Sequence, residues 1–274
     1  MSAGAKTGAC MALGAAAGMT GTNTKVVLVT GGAKRVGAAI VERLHREGWR
    51  VAIHYRASAA EASALAASLN TRRDQSAHCF AADFNDMEQA EALVTAVVAH
   101  FGRLDALVNN ASSFYPTPIG RITEADWDAL MASNLQAPMF LSQAAAPHLR
   151  RAADVASSAG GSSIVNITDI HSERPMAGYV VYNVAKAGLR GLTQALARDL
   201  APEVRVNAIA PGPIEWPTDG QIAADERVRI LEQVPLRREG GPSQIAEAAK
   251  YLICDANFVT GQTITVDGGR SIAI

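Results

Sequence analysis

The feature that most limits how this chain can fold is an unbroken apolar run that feeds a glycine-rich turn and then an amphipathic helix. Residues 26–30 (VVLVT) have the continuous apolar character of a strand buried on both faces. Residues 30–37 read TGGAKRVG, a tight turn, and residues 36–47 carry apolar side chains at helical spacing until Gly48 stops them. The alternation then repeats. Strands are expected at 50–55, 77–82, 104–109, 163–168, 204–209 and 263–266, with helices at 59–70, 86–101, 123–151, 179–200 and 245–254. Strand and helix alternating from end to end imply an α/β fold, a single doubly wound domain whose parallel sheet of about seven strands is covered on both faces. No composition break divides 25–274, whereas residues 1–24 are rich in Ala, Gly and Thr and are expected to be a disordered leader. Residues 152–162 read as a small-residue loop, and residues 213–241, rich in Pro, Gly and charge, as a mobile flap.

Composition narrows the partners. Lys plus Arg (25) against Asp plus Glu (26) leaves a net charge of −1, with no basic excess to hold a nucleic-acid backbone. No apolar run approaches about 20 residues, so no membrane-spanning helix is expected. The stretch 9–19 is mostly Ala and Gly, with Leu13 its one large aliphatic, which disfavours a signal peptide. Cys10, Cys79 and Cys254 are odd in number and lack metal-ligand spacing. A reduced compartment, the cytoplasm, is expected, with a small molecule as partner and no metal.

The turn at 30–37 lies where a strand enters a helix. There, glycines let backbone approach a pyrophosphate, and the helix N-terminus favours negative charge. Its form is Thr-Gly-x-x-x-Arg-x-Gly, with Arg35 where a glycine would ordinarily sit. Which dinucleotide it takes is decided at the end of the second strand. An Asp or Glu there would hold a free ribose 2′-hydroxyl, but residues 53–58 read IHYRAS, with no carboxylate before Glu61. Arg56 and Ser58 suit a 2′-phosphate instead, so NADPH is the expected cofactor. Further on, Tyr182 and Lys186 stand four residues apart in a helical segment, one turn apart on one face. A neighbouring ammonium is expected to stabilise the phenolate and ease proton transfer from Tyr182.

Taken in order, these motifs resemble the short-chain dehydrogenases/reductases: TGGAKRVG, Asn109-Asn110-Ala111, Asn134, Tyr182 with Lys186, Pro211-Gly212, and Val266-Asp267-Gly268-Gly269. The resemblance spans about residues 25–270 and implies a Rossmann-type fold. In it, a serine usually stands 13 residues before the tyrosine; here that residue is Asp169. A carboxyl group accepts hydrogen bonds from amine and ring N–H groups, which points to a nitrogen heterocycle and C=N reduction. Arg35 with the segments HYRASAAEA (54–62) and NNASSFYPTP (109–118) is similar to the pteridine reductases, and Thr168-Asp169 also to dihydromonapterin reductases.

That resemblance implies a catalytic set of Asp169, Tyr182, Lys186 and Asn134. It implies a cofactor site formed by Gly31, Arg35, Val36, His54, Tyr55, Arg56, Ser58, Asp83, Phe84, Asn110, Ala111, Ser112, Tyr182, Lys186, Pro211, Gly212 and Ile214. Arg35, Ser112, Phe114, Asp169 and Tyr182 would meet a pterin, with Phe114 stacking on it, and a homotetramer is implied. Reduction of a ketone or 3-oxoacyl thioester is the alternative, as is a non-enzymatic dinucleotide sensor. His171 is expected to be an ordinary loop histidine, and Trp216 to cover substrate or pack in a subunit contact.

Overall fold

The computed structural model describes residues 24–156, 161–216 and 223–274. All but Thr24 of the expected leader, Cys10 and the stretch 217–222 of the expected flap lie outside those residues. Seven strands form one parallel sheet: β1 (Val26–Val29), β2 (Arg50–Tyr55), β3 (Ala77–Ala81), β4 (Ala106–Asn109), β5 (Ser162–Ile167), β6 (Val204–Pro211) and β7 (Thr263–Val266). Their order across the sheet is β3-β2-β1-β4-β5-β6-β7. The chain winds outward through β2 and β3, then returns to place β4 on the other side of β1. This reversal opens a crevice at the carboxyl ends of β1 and β4, where ligands bind in such sheets.

Strand alternation sorts the core into two layers. Val27 and Val29 face α1 (Arg35–Arg46), α2 (Ala59–Arg72) and α8 (Pro242–Lys250). Their neighbours Val26 and Leu28 face α3 (Glu88–Phe101), α5 (Ala137–Ala156) and α6 (Val180–Asp199) on the opposite side. The inner strands β1, β4 and β5 are buried along their whole length, while the edges β3 and β7 are partly exposed. Hence inner strands carry apolar residues on both faces, with the buried polar side chains of Ser162, Ser163 and Asn166 in β5 among the departures. Gly48 and Gly102 end α1 and α3 with φ of 92° and 80°, a left-handed geometry that glycine adopts without strain.

The helix expected over 123–151 is divided. A capping box of Thr123 and Asp126 starts α4 (Glu124–Met131). A widened π turn, Ala132–Gln136, then carries Asn134 before α5 begins. Pro138 has no N–H, so the Asn134 carbonyl lacks the donor four residues on that an α-helix would supply. The expected flap holds a helix, α7 (Ala224–Glu232), none of whose residues is fully buried, with Ile230 on the cavity wall. Strand β6 runs on to Pro211 because its register with β7 continues there. Helix α8 starts at Pro242 and passes into a second π turn, Tyr251–Asp255.

Candidate active site

The carboxyl ends of β1, β4, β5 and β6 converge on a cavity of about 510 Å³. From β1, Gly31 turns the chain at φ 59°, and a hydrogen-bond frame holds that turn. The Thr30 hydroxyl accepts from the N–H groups of Asn110 (2.9 Å) and Ala111 (3.0 Å), and the Asn110 amide donates to the carbonyls of Thr30 and Gly31. A Cβ on Gly37 would lie 2.1 Å from the Gly31 carbonyl oxygen, so this close crossing demands glycine. Arg35 adopts φ 53°, the left-handed conformation for which glycine is the ordinary choice at this position. Its guanidinium pairs with Glu215, in the loop after β6, at 2.9 Å.

His54 and Phe84 lie behind this turn and not in the cavity. His54 is buried; its Nδ1 accepts from Gly31 N–H at 3.0 Å and its Nε2 faces the Ala82 carbonyl at 3.1 Å. Burial holds its pKa down at about 4, which keeps the ring neutral with a proton on Nε2. Phe84 stacks on that ring at 4.4 Å. Both therefore brace the turn from beneath. Tyr55, Arg56, Ser58 and Asp83 sit at or just beyond the carboxyl ends of β2 and β3, outside the cavity wall.

Residues from α6 and the β5 end supply the reactive groups. Tyr182 and Lys186 are both buried, one helical turn apart. The Tyr182 hydroxyl donates to Asp169 Oδ2 at 2.8 Å, and the Lys186 ammonium donates to the Ile167 carbonyl at 2.9 Å. The other Asp169 oxygen accepts from His171 N–H. Burial first, then the Asp169 charge and hydrogen bond, push Tyr182 well above the usual phenol value. This reverses the expectation from the sequence, because a carboxylate touches the phenol while the ammonium stands 5.7 Å from its ring centre. Burial lowers Lys186 to about 8, although Asp169 opposes that shift. A phenol that keeps its proton is a proton donor, the form a reduction requires.

The cavity brings Gly31, Arg35, Val36, Asn110, Ala111, Ser112, Phe114, Asp169, Tyr182, Lys186, Pro211, Gly212 and Ile214 together along one wall or another. Asn134 is fully buried behind them. Its side chain accepts from the Ser112 hydroxyl (2.7 Å) and donates to the Ser113 carbonyl (2.9 Å), tying the π turn to the loop that carries Phe114. Phe114 stacks on Tyr179 at 4.7 Å and meets Tyr182 edge-on at 4.9 Å. His171, expected to be an ordinary loop histidine, instead sits buried in a 3₁₀ turn on the cavity wall, with its Nδ1–H donated to the Arg174 carbonyl. Trp216 lines the cavity and lies under Arg227. Sequence reasoning missed Met176, Tyr179, Glu215 and Arg270, which reach the cavity through the fold and belong to no local motif.

The site fits a dinucleotide phosphate. The N-terminus of α1 faces the cavity without a side-chain cap, leaving its N–H groups for an anion. Arg56 is exposed and makes no hydrogen bond or ion pair among the described residues, and Glu61, the first carboxylate after it in the sequence, is bound by Lys34 at 2.6 Å. Among the described residues no cluster could hold a metal ion, and no helix is long and apolar enough to cross a membrane.

A dinucleotide crevice beside a buried Tyr–Lys pair defines an oxidoreductase. The family model described as Enoyl-(Acyl carrier protein) reductase matches residues 31–271. Pteridine reductase 1 of Leishmania tarentolae is 38% identical over an alignment covering 92% of this chain and 98% of that protein. The 3-oxoacyl-(acyl-carrier-protein) reductase of Staphylococcus aureus strain Mu50 is 34% identical, covering 90% and 98%. The chain belongs to the short-chain dehydrogenase/reductase family.

Proposed function

We propose that the chain is an NADPH-dependent pteridine reductase that reduces the C=N bond of a dihydropterin-type substrate. The observation that carries this reading is the Asp169 carboxylate, hydrogen-bonded to the Tyr182 hydroxyl at 2.8 Å on the cavity wall. A carboxylate there accepts from the amine and ring N–H groups of a pterin, and would repel the carbonyl oxygen of a ketone. The similarity to a pteridine reductase supports the same choice.

NADPH supplies the hydride when bound. The turn at 31–37 and the α1 N-terminus hold its pyrophosphate, while Arg56 and Ser58 hold the 2′-phosphate. Lys186 uses its free N–H donors on the nicotinamide ribose. Phe114 and Tyr179 offer flat faces that orient a planar substrate over the reduced ring. Tyr182 gives its proton to the ring nitrogen of the C=N bond, and Asp169 holds the neighbouring N–H. Asn134 positions the loop carrying Ser112 and Phe114. The second reading, reduction of a 3-oxoacyl thioester, draws on the similarity to the staphylococcal enzyme.

Replacing Asp169 by Ser separates the two. Pterin turnover is expected to fall at least about a hundredfold, in line with loss of a positioned acid–base group, while NADPH affinity stays within about twofold. Undiminished pterin turnover in Asp169→Ser would remove the reason for choosing pterins.

A further inference from the structure

We propose that Arg270 is a substrate-recognition residue that binds a carboxylate carried by the substrate, making the preferred heterocycle one with an anionic substituent. This rests on the reading of the cavity as a site for flat heterocycles, and adds the charge class of the ligand.

Arg270 follows β7, in a turn fixed from three directions. Asp267 accepts from the N–H groups of Gly269 (2.8 Å) and Ser271 (2.7 Å). Gly268 and Gly269 both take left-handed conformations, with φ of 64° and 89°. A Cβ on either would lie 2.7 Å from Val234 or 2.9 Å from Pro235. The turn is thus pressed against the segment after α7, and the arginine is presented to the cavity, which it lines.

Its charge is unsatisfied there. Arg270 Nε is buried without a hydrogen-bond partner, and the guanidinium makes no hydrogen bond or ion pair among the described residues. Other cations on the cavity wall are engaged: Lys34 with Glu61, Arg35 with Glu215, and Lys186 with the Ile167 carbonyl. The two carboxylates that act on Arg270 at a distance, Asp169 and Asp267, are each held elsewhere, Asp169 by Tyr182 and His171 and Asp267 by backbone N–H groups. A partly buried guanidinium left unpaired is costly, and its planar fork matches a carboxylate with two parallel hydrogen bonds. The anion is not the dinucleotide's 2′-phosphate. Arg270 stands at the β7 flank of the sheet, across β1, β4, β5 and β6 from the β2 end where Arg56 lies.

The test uses the full chain saturated with NADP⁺ and two probes that differ only in charge: 4-aminobenzoyl-glutamate and its neutral diamide. Calorimetric titration of the parent protein is expected to give at least about tenfold tighter binding of the acid, the worth of one charge-assisted pair. Arg270→Gln is expected to abolish that preference and Arg270→Lys to restore part of it, both with NADP⁺ affinity unchanged. Equal affinity of the parent for the two probes, or binding of neither, overturns the proposal. So does a preference that survives in Arg270→Gln, or an Arg270→Gln effect that falls equally on both probes or on NADP⁺. Turnover of a neutral dihydropterin is measured separately. Its absence alongside intact charge discrimination discards the pterin reading and leaves the arginine's role standing.

Discussion

At the scale of residues, Asp169 and burial govern Tyr182, and Lys186 has a titration of its own. The carboxylate and burial keep the phenol protonated beyond its usual range, while burial alone brings Lys186 down to about 8. The alkaline limb of activity therefore belongs to the lysine. Below about 8 the ammonium is charged and can hold ribose hydroxyls; as pH rises through that value it loses its proton and turnover falls. A profile of kcat/KM against pH is expected to bend downward near 8, and Lys186→Arg, whose side chain stays charged, to move the bend well upward in the activity that remains. A bend unmoved in Lys186→Arg would assign it to another group. Tyr182, Lys186 and the turn glycines were legible in the sequence because short local spacings carry them. The direction of the Tyr182 shift was not, since it depends on which charge the fold brings into contact.

At the scale of elements, the inner strands were readable to within a residue or two because burial on both faces favours short runs that are mostly apolar. The edge strand β7, only partly buried, was found from its Thr-Ile-Thr-Val composition. The π turn at Ala132–Gln136 was missed, although Pro138 was its signal: it spans only five residues, too few to stand out in an apolar pattern read over the whole segment. Helix α7 was missed because its nine residues are mostly charged and it lies in a segment otherwise rich in Pro and Gly. Arg205 was invisible for a different reason. It sits in strand β6, yet its buried guanidinium donates to the carbonyls of Leu252 (2.6 Å), Ala256 (2.9 Å) and Ile253 (3.1 Å), closing the end of the helix that follows α8. Arg205→Met is expected to destabilise the protein by about 3 kcal/mol in urea unfolding, because it strands several buried acceptors at once. A loss under about 0.5 kcal/mol would mean those carbonyls find other donors.

At the scale of the whole molecule, two buried histidines couple the fold to acid. His54 braces the phosphate-binding turn, and His45 in α1 meets the Ser76 hydroxyl at 2.7 Å before β3. Burial lowers each to about 4 from an ordinary value of 6.5, with the Arg73 and Arg72 charges adding to the shift at His45. The unfolded chain therefore takes up protons first as pH drops from 6.5 toward 4, and stability falls across that window. The thermal midpoint is expected to decline steadily between pH 6.5 and 5, above the range where most carboxylates titrate; a flat midpoint there would contradict the buried neutral state. Activity is the other whole-molecule property, since it requires the turn, the β5 end and α6 to meet in one crevice. Its most direct test is NADPH consumption by the purified protein, with dihydrobiopterin and acetoacetyl thioester as competing acceptors and NADH as the control donor. Brisk oxidation of NADPH with the dihydropterin, much slower with NADH, and little with the thioester is the expected result. Brisk thioester reduction without pterin turnover would contradict it.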